Sequence, residues 1–152
     1  MTRTDRILRL LAWPAAAWIA WEFLHYEQYK LTGHPGSVDF IFQPLADWFG
    51  IPSYEKPFRL TVASLEILAS ILVVLPWTRV WGALLAVGIM SGAIFFHTIG
   101  PIGIDPYGDG GVLFKEAILT WVLGVFIVFA HRQDLVPLAA RFGLRLPFTR
   151  TA

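Results

Sequence analysis

Five ionisable residues lie inside long apolar runs of this sequence, and they are the strongest candidates for chemistry. They are Glu22, His25, Glu66, His97 and Glu116. Glu22 and His25 are three residues apart, so on a helix a carboxylate and an imidazole share one face. Ionisable side chains are costly inside a bilayer, and those that persist there commonly serve a function. We therefore ask first what these five residues would bind.

The first interpretation is a metal site, since carboxylate and imidazole side chains suit iron, manganese or zinc. A Glu-x-x-His pair is the spacing found in carboxylate-bridged di-metal sites of helix bundles, where other helices add glutamates. This sequence holds one such pair and no second one. The pattern therefore favours a one-metal site, or an irregular dinuclear one, with all five residues as candidate ligands.

Two other interpretations stay open. In a metal-free polar core, the glutamates pair with His25, His97 and Lys115, and the network binds a quinone head group or relays protons. Glu66, His97 and Lys115 are then the candidate ligand-binding residues. Alternatively, the groups on the first and fourth helices are solvated, and only Glu66 and His97 are buried. We estimate the height of each candidate metal ligand by counting about 1.5 Å of rise per residue from the cytoplasmic end of its helix. All five then fall in the half of the bundle that lies nearer the outer face of the membrane.

The composition identifies the class of protein that must position these residues. Of 152 residues, 56% are hydrophobic and only 15% are charged, whereas soluble domains carry about 25% charged residues. The chain is therefore expected to be a membrane protein. The absence of cysteine excludes disulfides, thiol chemistry, iron–sulfur ligation and c-type haem attachment. The net charge of +1 gives no reason to expect a nucleic-acid partner.

Four apolar runs are long enough to cross a bilayer, for which about 20 residues suffice. They predict an all-α integral membrane four-helix bundle, formed by a single domain over residues 1–152, with spans at about 7–29, 58–76, 79–100 and 111–131. A short interfacial helix is expected at 38–49, and a basic amphipathic tail at 132–152. Because most Lys and Arg residues lie on the side that holds both termini, both termini are expected to be cytoplasmic.

Several other residues are expected to have structural roles only. Glu27 and Lys30 lie near the end of the first span and are expected to be solvated, while Lys115 is expected to extend to the interface. The small residues of Gly88-xxx-Gly92 predict close helix packing inside the bundle, with dimerisation through this face as the alternative. Asp109 is expected to cap the fourth helix.

Several short motifs resemble the DoxX family of small four-helix membrane proteins. Glu66 opens a second-helix motif, a Leu-Pro-Trp-Thr-Arg turn leads into Gly-Ala-Leu-Leu, and His97 ends the third helix before a loop that closes in Asp-Gly-Gly. The resemblance covers roughly residues 25–130. It implies a four-helix bundle in the inner membrane. It also implies a link to quinone-dependent oxidoreductases, including thiosulfate:quinone oxidoreductase and terminal quinol oxidase, and to oxidative-stress complexes.

The sequence and the resemblance together predict a small inner-membrane component of a quinone-linked or oxidative-stress redox system. Its polar pocket would lie in the outer half of the bundle and is the candidate metal site. One alternative is a non-catalytic subunit that packs on a partner protein, a lipid or a quinone; another is a proton-coupled transporter. The expected partners are the lipid bilayer and another membrane or redox subunit, and an oligomer is a further option. The residues do not decide whether the chain is itself an enzyme.

Overall fold

The computed structural model describes residues 2–136, and within that range every regular element is helical. The elements are α1 (Arg3–Thr32), α2 (Pro35–Ser37), a π-helical turn (Val38–Phe42), α3 (Gln43–Trp48), a 3-10 turn (Pro52–Tyr54), α4 (Glu55–Val74), α5 (Arg79–Thr98), α6 (Val112–Ala130) and a second 3-10 turn (Arg132–Leu135). The helices α1, α4, α5 and α6 are long and apolar enough to cross a membrane. This confirms the predicted all-α bundle of four spans.

The four long helices form a closed ring of contacts. Both α1 and α5 pack against α4 and against α6, so α1 and α5 lie on one diagonal of the bundle. The core between them is built largely from small and aliphatic side chains, such as Ala12, Ala16, Ile19 and Ala86, each at most 1% exposed. Small side chains allow the helix backbones to approach closely, which drives packing where lipid offers no hydrophobic gain.

The closest helix approaches use glycines other than the predicted pair. A Cβ built on Gly82 would lie 2.2 Å from the backbone N of Val73, and one built on Gly124 would lie 2.8 Å from a side-chain carbon of Val87. Gly88, by contrast, is exposed and has nothing within 4 Å of such a Cβ. The prediction that Gly88 packs inside the bundle is therefore wrong, because no neighbouring helix approaches α5 closely at this position.

Arg79 fastens the turn between α4 and α5. Its side chain is buried, and its Nε and Nη2 atoms each donate at 3.0 Å to the carbonyl oxygens of Val73 and Val74. The guanidinium also lies 3.9 Å from the ring centroid of Trp13 on α1. The last carbonyls of a helix have no partner within the helix. One arginine therefore caps α4 and joins it to α1.

Charged pairs join the start of α1 to the 3-10 turn that follows α6, at one end of the bundle. Arg9 on α1 contacts Asp134 at 2.5 Å, and Arg132 contacts Asp5 at 3.1 Å. Burial alone would raise the pKa of Asp134, but its hydrogen bonds with Arg9 and His131 outweigh that effect and lower the pKa below its usual range. Residues 137–152, which make up most of the predicted amphipathic tail, lie outside the described residues.

The link between α1 and α4 covers the opposite end of the bundle. α1 ends at Thr32 and is capped by Gly33, whose φ of 68° is the left-handed conformation that favours glycine. Arg59 of α4 donates from its guanidinium to the carbonyl oxygen of Lys30, and its Nε donates to Glu55 at 2.6 Å. The π-helical turn and α3 then pack on α4. The segment predicted as a helix at 38–49 therefore consists of two consecutive helical pieces.

Candidate functional site

A cavity of about 610 Å³ lies among the four long helices, at the end of the bundle away from the start of α1. The second half of α1, the first half of α4, the second half of α5 and the start of α6 all contribute to its wall. Much of that wall is apolar and aromatic, and includes Phe23, Phe42, Phe58, Met90 and Phe96. Its volume is in the range of pockets that enclose drug-sized molecules. The cavity is the natural place to look for a ligand.

Lys30 carries the positive charge in this cavity. Its ammonium donates to Glu66 on α4, and lies 3.3 Å from Glu27 Oε1, one turn earlier on α1. The three side chains are at most 13% exposed. Long helical side chains point back toward the helix N-terminus, so Lys30 reaches down from the end of α1 into the bundle. The prediction that Glu27 and Lys30 are solvated is therefore wrong.

Glu22 faces the same cavity without a protein partner for one of its oxygens. The residue is 3% exposed, and within residues 2–136 its Oε2 atom has no hydrogen-bond partner. Unpaired buried polar atoms are rare in folded proteins because they have lost their water contacts. Glu22 is thus placed to contact whatever occupies the cavity.

His97 and Tyr26 lie at the cavity wall but are satisfied by the protein. The Nδ1 atom of His97 is 2.6 Å from the carbonyl oxygen of Gly103, so this nitrogen carries the proton and donates it. Tyr26 donates from its hydroxyl to Glu116 at 2.5 Å. The first contact joins the end of α5 to the loop that follows it, and the second joins α1 to the beginning of α6, so both side chains are held in place.

The five predicted metal ligands do not come together as a metal site. Glu22, Glu66 and His97 are buried in the cavity wall, but His25 is exposed at the wall and stacks on Trp21 with ring centroids 5.2 Å apart. Glu116 is half-buried and does not line the cavity. Among residues 2–136 there is no group of three or more His, Asp or Glu residues that could hold a metal ion. Lys30 donates to Glu66, Tyr26 donates to Glu116 and His25 is exposed, so the candidate ligands do not meet at one point.

Lys115 does not join Glu66 and His97 as predicted for a ligand site. Its side chain is exposed, and it lies outside the cavity wall. α6 presents Leu113 and Ala117 to the cavity instead. Lys115 is two residues from each of these, about 200° around the helix, so it faces away from the cavity.

The loop between α5 and α6 forms part of the cavity mouth. Tyr107 donates to the carbonyl oxygen of Gly36 at 2.9 Å, which ties this loop to α2. Burial, together with the charge of Asp109, raises the pKa of Tyr107, so its phenol remains a donor at neutral pH. Asp109 accepts from the backbone N–H of Val112 at 3.0 Å, as expected of a residue that caps α6.

Two residues near the middle of neighbouring helices both line the cavity and are exposed. Leu65 of α4 is 39% exposed and Gly88 of α5 is also exposed, yet both residues line the cavity. α4 and α5 are neighbours in the bundle. We infer that the cavity reaches the surface of the bundle between Leu65 and Gly88, and we call this place the side opening. It lies near the middle of both helices, on a surface that a membrane protein presents to lipid.

A comparison with protein families gives a match over a large part of this chain. The model of the DoxX-like family matches residues 16–102, which is more than half of the 152 residues. The chain belongs to the DoxX-like family. No curated protein and no solved structure matches it. Membership and the four apolar helices together identify a small multi-pass membrane protein. The family match ends before α6, so Lys115 and Glu116 lie outside it.

The DoxX-like chain also contains site residues that the sequence reasoning passed over, chiefly Lys30, Ser37 and Tyr107. A signal for Lys30 was present, because Glu22, Tyr26, Tyr29 and Lys30 recur every three or four residues and so share one helix face. For Ser37 and Tyr107 there was no such signal. Both lie in short loop elements, whose position against the helices does not follow from any periodicity.

Proposed function

We propose that this DoxX-like protein binds a quinone-type molecule in its cavity, as a small inner-membrane component of a redox system. The observation that carries the proposal is the cavity itself, with its aromatic wall and one buried cluster of charge. A quinone has a flat ring with two oxygen atoms and an apolar tail. The ring and tail suit the aromatic wall, and the oxygens need a few well-placed polar groups.

Lys30 is the group best suited to a ring oxygen. A lysine ammonium has three N–H donors, and contacts with Glu27 and Glu66 account for two of them. The third would be available to a carbonyl oxygen in the cavity. The two glutamates hold the ammonium in place, so the donor is positioned before the ligand arrives.

The proposal concerns binding, and electron transfer would be the task of a partner subunit. A ligand-binding subunit of this kind fits both the redox interpretation and the non-catalytic alternative. Proton-coupled transport is a second candidate, favoured by three buried glutamates that lie near a single lysine. It predicts a pH-dependent flux in vesicles that Glu66→Gln abolishes, whereas a binding subunit gives no flux.

The test is a binding titration of the purified protein in lipid nanodiscs with a quinone that carries a ten-carbon tail. Quenching of tryptophan fluorescence should saturate, since Trp21 stacks on the cavity residue His25. Ala93→Phe, which places a ring in the cavity, should weaken binding about tenfold or more. Leu84→Phe, on the same helix but outside the cavity wall, should not. Quenching that never saturates, or that is equal in both variants, would refute the proposal.

A further inference from the structure

We infer that the cavity also binds a lipophilic organic cation, an ammonium group carried on an apolar body, and that this cation replaces a proton on Glu22. The inference goes beyond the quinone proposal, because it assigns a second class of ligand to the same cavity and does not depend on a quinone. It rests on the charges that surround the cavity and on the aromatic rings beside them.

The buried charges around the cavity do not balance. Glu22, Glu27 and Glu66 are each at most 4% exposed. Lys30 is the one lysine or arginine that lines the cavity within residues 2–136, and it contacts Glu27 and Glu66. In the same part of the chain, Glu22 and Glu27 each have one oxygen without a hydrogen-bond partner. One ammonium cannot balance three ionised carboxyls.

The histidines that line the cavity in the described structure do not supply the missing positive charge. His25 is exposed on α1 and stacks on Trp21. The Nδ1 atom of His34 accepts from the backbone N–H of Gly36 at 3.0 Å, so this ring is neutral. His97 on α5 is buried beside a carbonyl oxygen rather than a carboxylate, and burial disfavours a positive ring.

The remaining titratable groups near the cavity are neutral, negative or already paired. Arg59 of α4 is bonded to a glutamate on its own helix. Glu116 of α6 accepts from a tyrosine and lies close enough to act on the charge of Glu22. In the loop before α6, Asp109 accepts from two backbone N–H groups, and the phenol of Tyr107 is uncharged at neutral pH.

A buried carboxyl that lacks a positive partner is stable in one of two states. It can hold a proton and be neutral, because an isolated buried charge is too costly. It can also be ionised beside a cation that a ligand supplies. Glu22 is the carboxyl that can change between these states, since it lines the cavity and Lys30 contacts the other two. The protonated carboxyl and the cation then give a carboxylate–cation pair, and one proton leaves to water.

Aromatic rings beside Glu22 favour an organic cation over a metal ion. Tyr26 and Tyr29 follow it by four and seven residues, so they share its helix face. Both line the cavity, and their ring centroids are 6.3 Å apart. Aromatic rings attract ammonium groups through their faces and recognise quaternary ammonium ligands. A metal ion would need several oxygen or nitrogen ligands, and between residues 2 and 136 no three His, Asp or Glu residues form such a group.

The test compares a quaternary ammonium that carries a benzyl group and an eight-carbon tail with its uncharged analogue, in which carbon replaces nitrogen. The quaternary nitrogen has no proton, so any proton released comes from the protein. Binding is measured by calorimetry in phosphatidylcholine nanodiscs, in buffers of different ionisation enthalpy, with empty nanodiscs subtracted. About one proton should be released per cation, and Kd should fall about tenfold per unit of rising pH while the carboxyl starts protonated. The analogue should release no proton.

Variants then assign the proton to a residue. Glu22→Gln should remove both the proton release and the pH dependence, because an amide does not titrate. At high pH it should weaken cation binding about tenfold or more. Its binding of the uncharged analogue should be unchanged, which shows that the cavity of the variant is intact. Asp39→Asn is the matched control, being the same carboxyl-to-amide change at an exposed residue outside the cavity wall, and it should retain the proton release.

The outcomes separate this inference from the proposed function. Equal affinity for the cation and its uncharged analogue, or cation binding without proton release, would overturn the inference. Proton release that persists in Glu22→Gln would overturn the assignment to that residue. Saturable binding of the quinone but not of the cation would refute this inference alone, whereas binding of the cation but not of the quinone would refute the proposed function alone.

Discussion

Replacing Lys30 by methionine is the sharpest test of how the bundle is held together. The substitution keeps the length and the apolar stem of the side chain but removes the ammonium that contacts both Glu27 and Glu66. Both glutamate side chains are 5% exposed. At least one buried carboxylate is then left without a positive partner, and water cannot replace it without opening the cavity.

The size of the effect follows from the two ways in which the stranded charge can be accommodated. Removing one partner of a buried ion pair costs about 3–5 kcal/mol in soluble proteins. Taking up a proton at pH 7 costs a glutamate with the reference pKa of about 4.3 roughly 3.7 kcal/mol. The cheaper route sets the loss, so we expect Lys30→Met to reduce the free energy of unfolding by about 3–4 kcal/mol.

The assay is unfolding by a denaturing detergent in mixed lipid–detergent micelles, followed by circular dichroism. Lys115→Met is the matched control: it removes a lysine whose side chain is exposed on α6, and it should change the stability by no more than about 0.5 kcal/mol. Adding Glu66→Gln to Lys30→Met should recover part of the loss, because one stranded charge disappears. Equal effects of the two lysine substitutions would show that Lys30 is not the buried counter-ion that the structure describes.

Three further predictions concern the frame around the cavity. Gly82→Ala should destabilise the protein by about 1–3 kcal/mol because its Cβ would meet the backbone of α4. Gly88→Ala should be neutral or slightly stabilising. Thermal unfolding in detergent compares the two variants. Arg79→Met should cost about 2 kcal/mol or more by the same measurement, because two helix-end carbonyls lose a charged donor. The pKa of Asp134 is lowered in the folded protein. Its ionised form therefore adds to the free energy of unfolding above about pH 4, and this stabilisation is lost as the pH falls through the lowered pKa. Asp134→Asn should remove that part of the sensitivity to acid.

Each of these has a result that would count against it. Equal losses for the two glycine variants would mean that α4 and α5 do not meet at Gly82. Full retention of stability in Arg79→Lys would show that the forked guanidinium contacts are dispensable, since lysine cannot make them both. An unchanged acid-unfolding profile in Asp134→Asn would place the pH dependence elsewhere.

The helices could be predicted from the sequence because each is a long apolar run, and length and hydropathy suffice to identify a span. Glu66 and His97 could be selected for the same reason, as ionisable residues interrupt such runs visibly. The capping role of Asp109 also followed from local chemistry alone. What these features share is that they depend on residues close together in the chain.

The partners inside the bundle could not be predicted in this way. Lys30 lies near a helix end, where lysine is ordinarily solvated, and only the direction of its side chain along α1 brings it to Glu66 on another helix. The two glycines of α5 show the same limit. Gly82 and Gly88 look alike in the sequence, and the rotation of α5 within the bundle decides that one meets α4 and the other borders an opening.

The side opening between Leu65 and Gly88 sets which concentration governs occupancy of the cavity. A molecule dissolved in the hydrocarbon phase can reach the aromatic wall without leaving that phase. Its mole fraction in the lipid, and not its aqueous concentration, is then the relevant variable. Adding lipid at a constant total amount of ligand dilutes the molecule and empties the site. Affinities of different ligands are therefore comparable only after their partition coefficients have been taken into account.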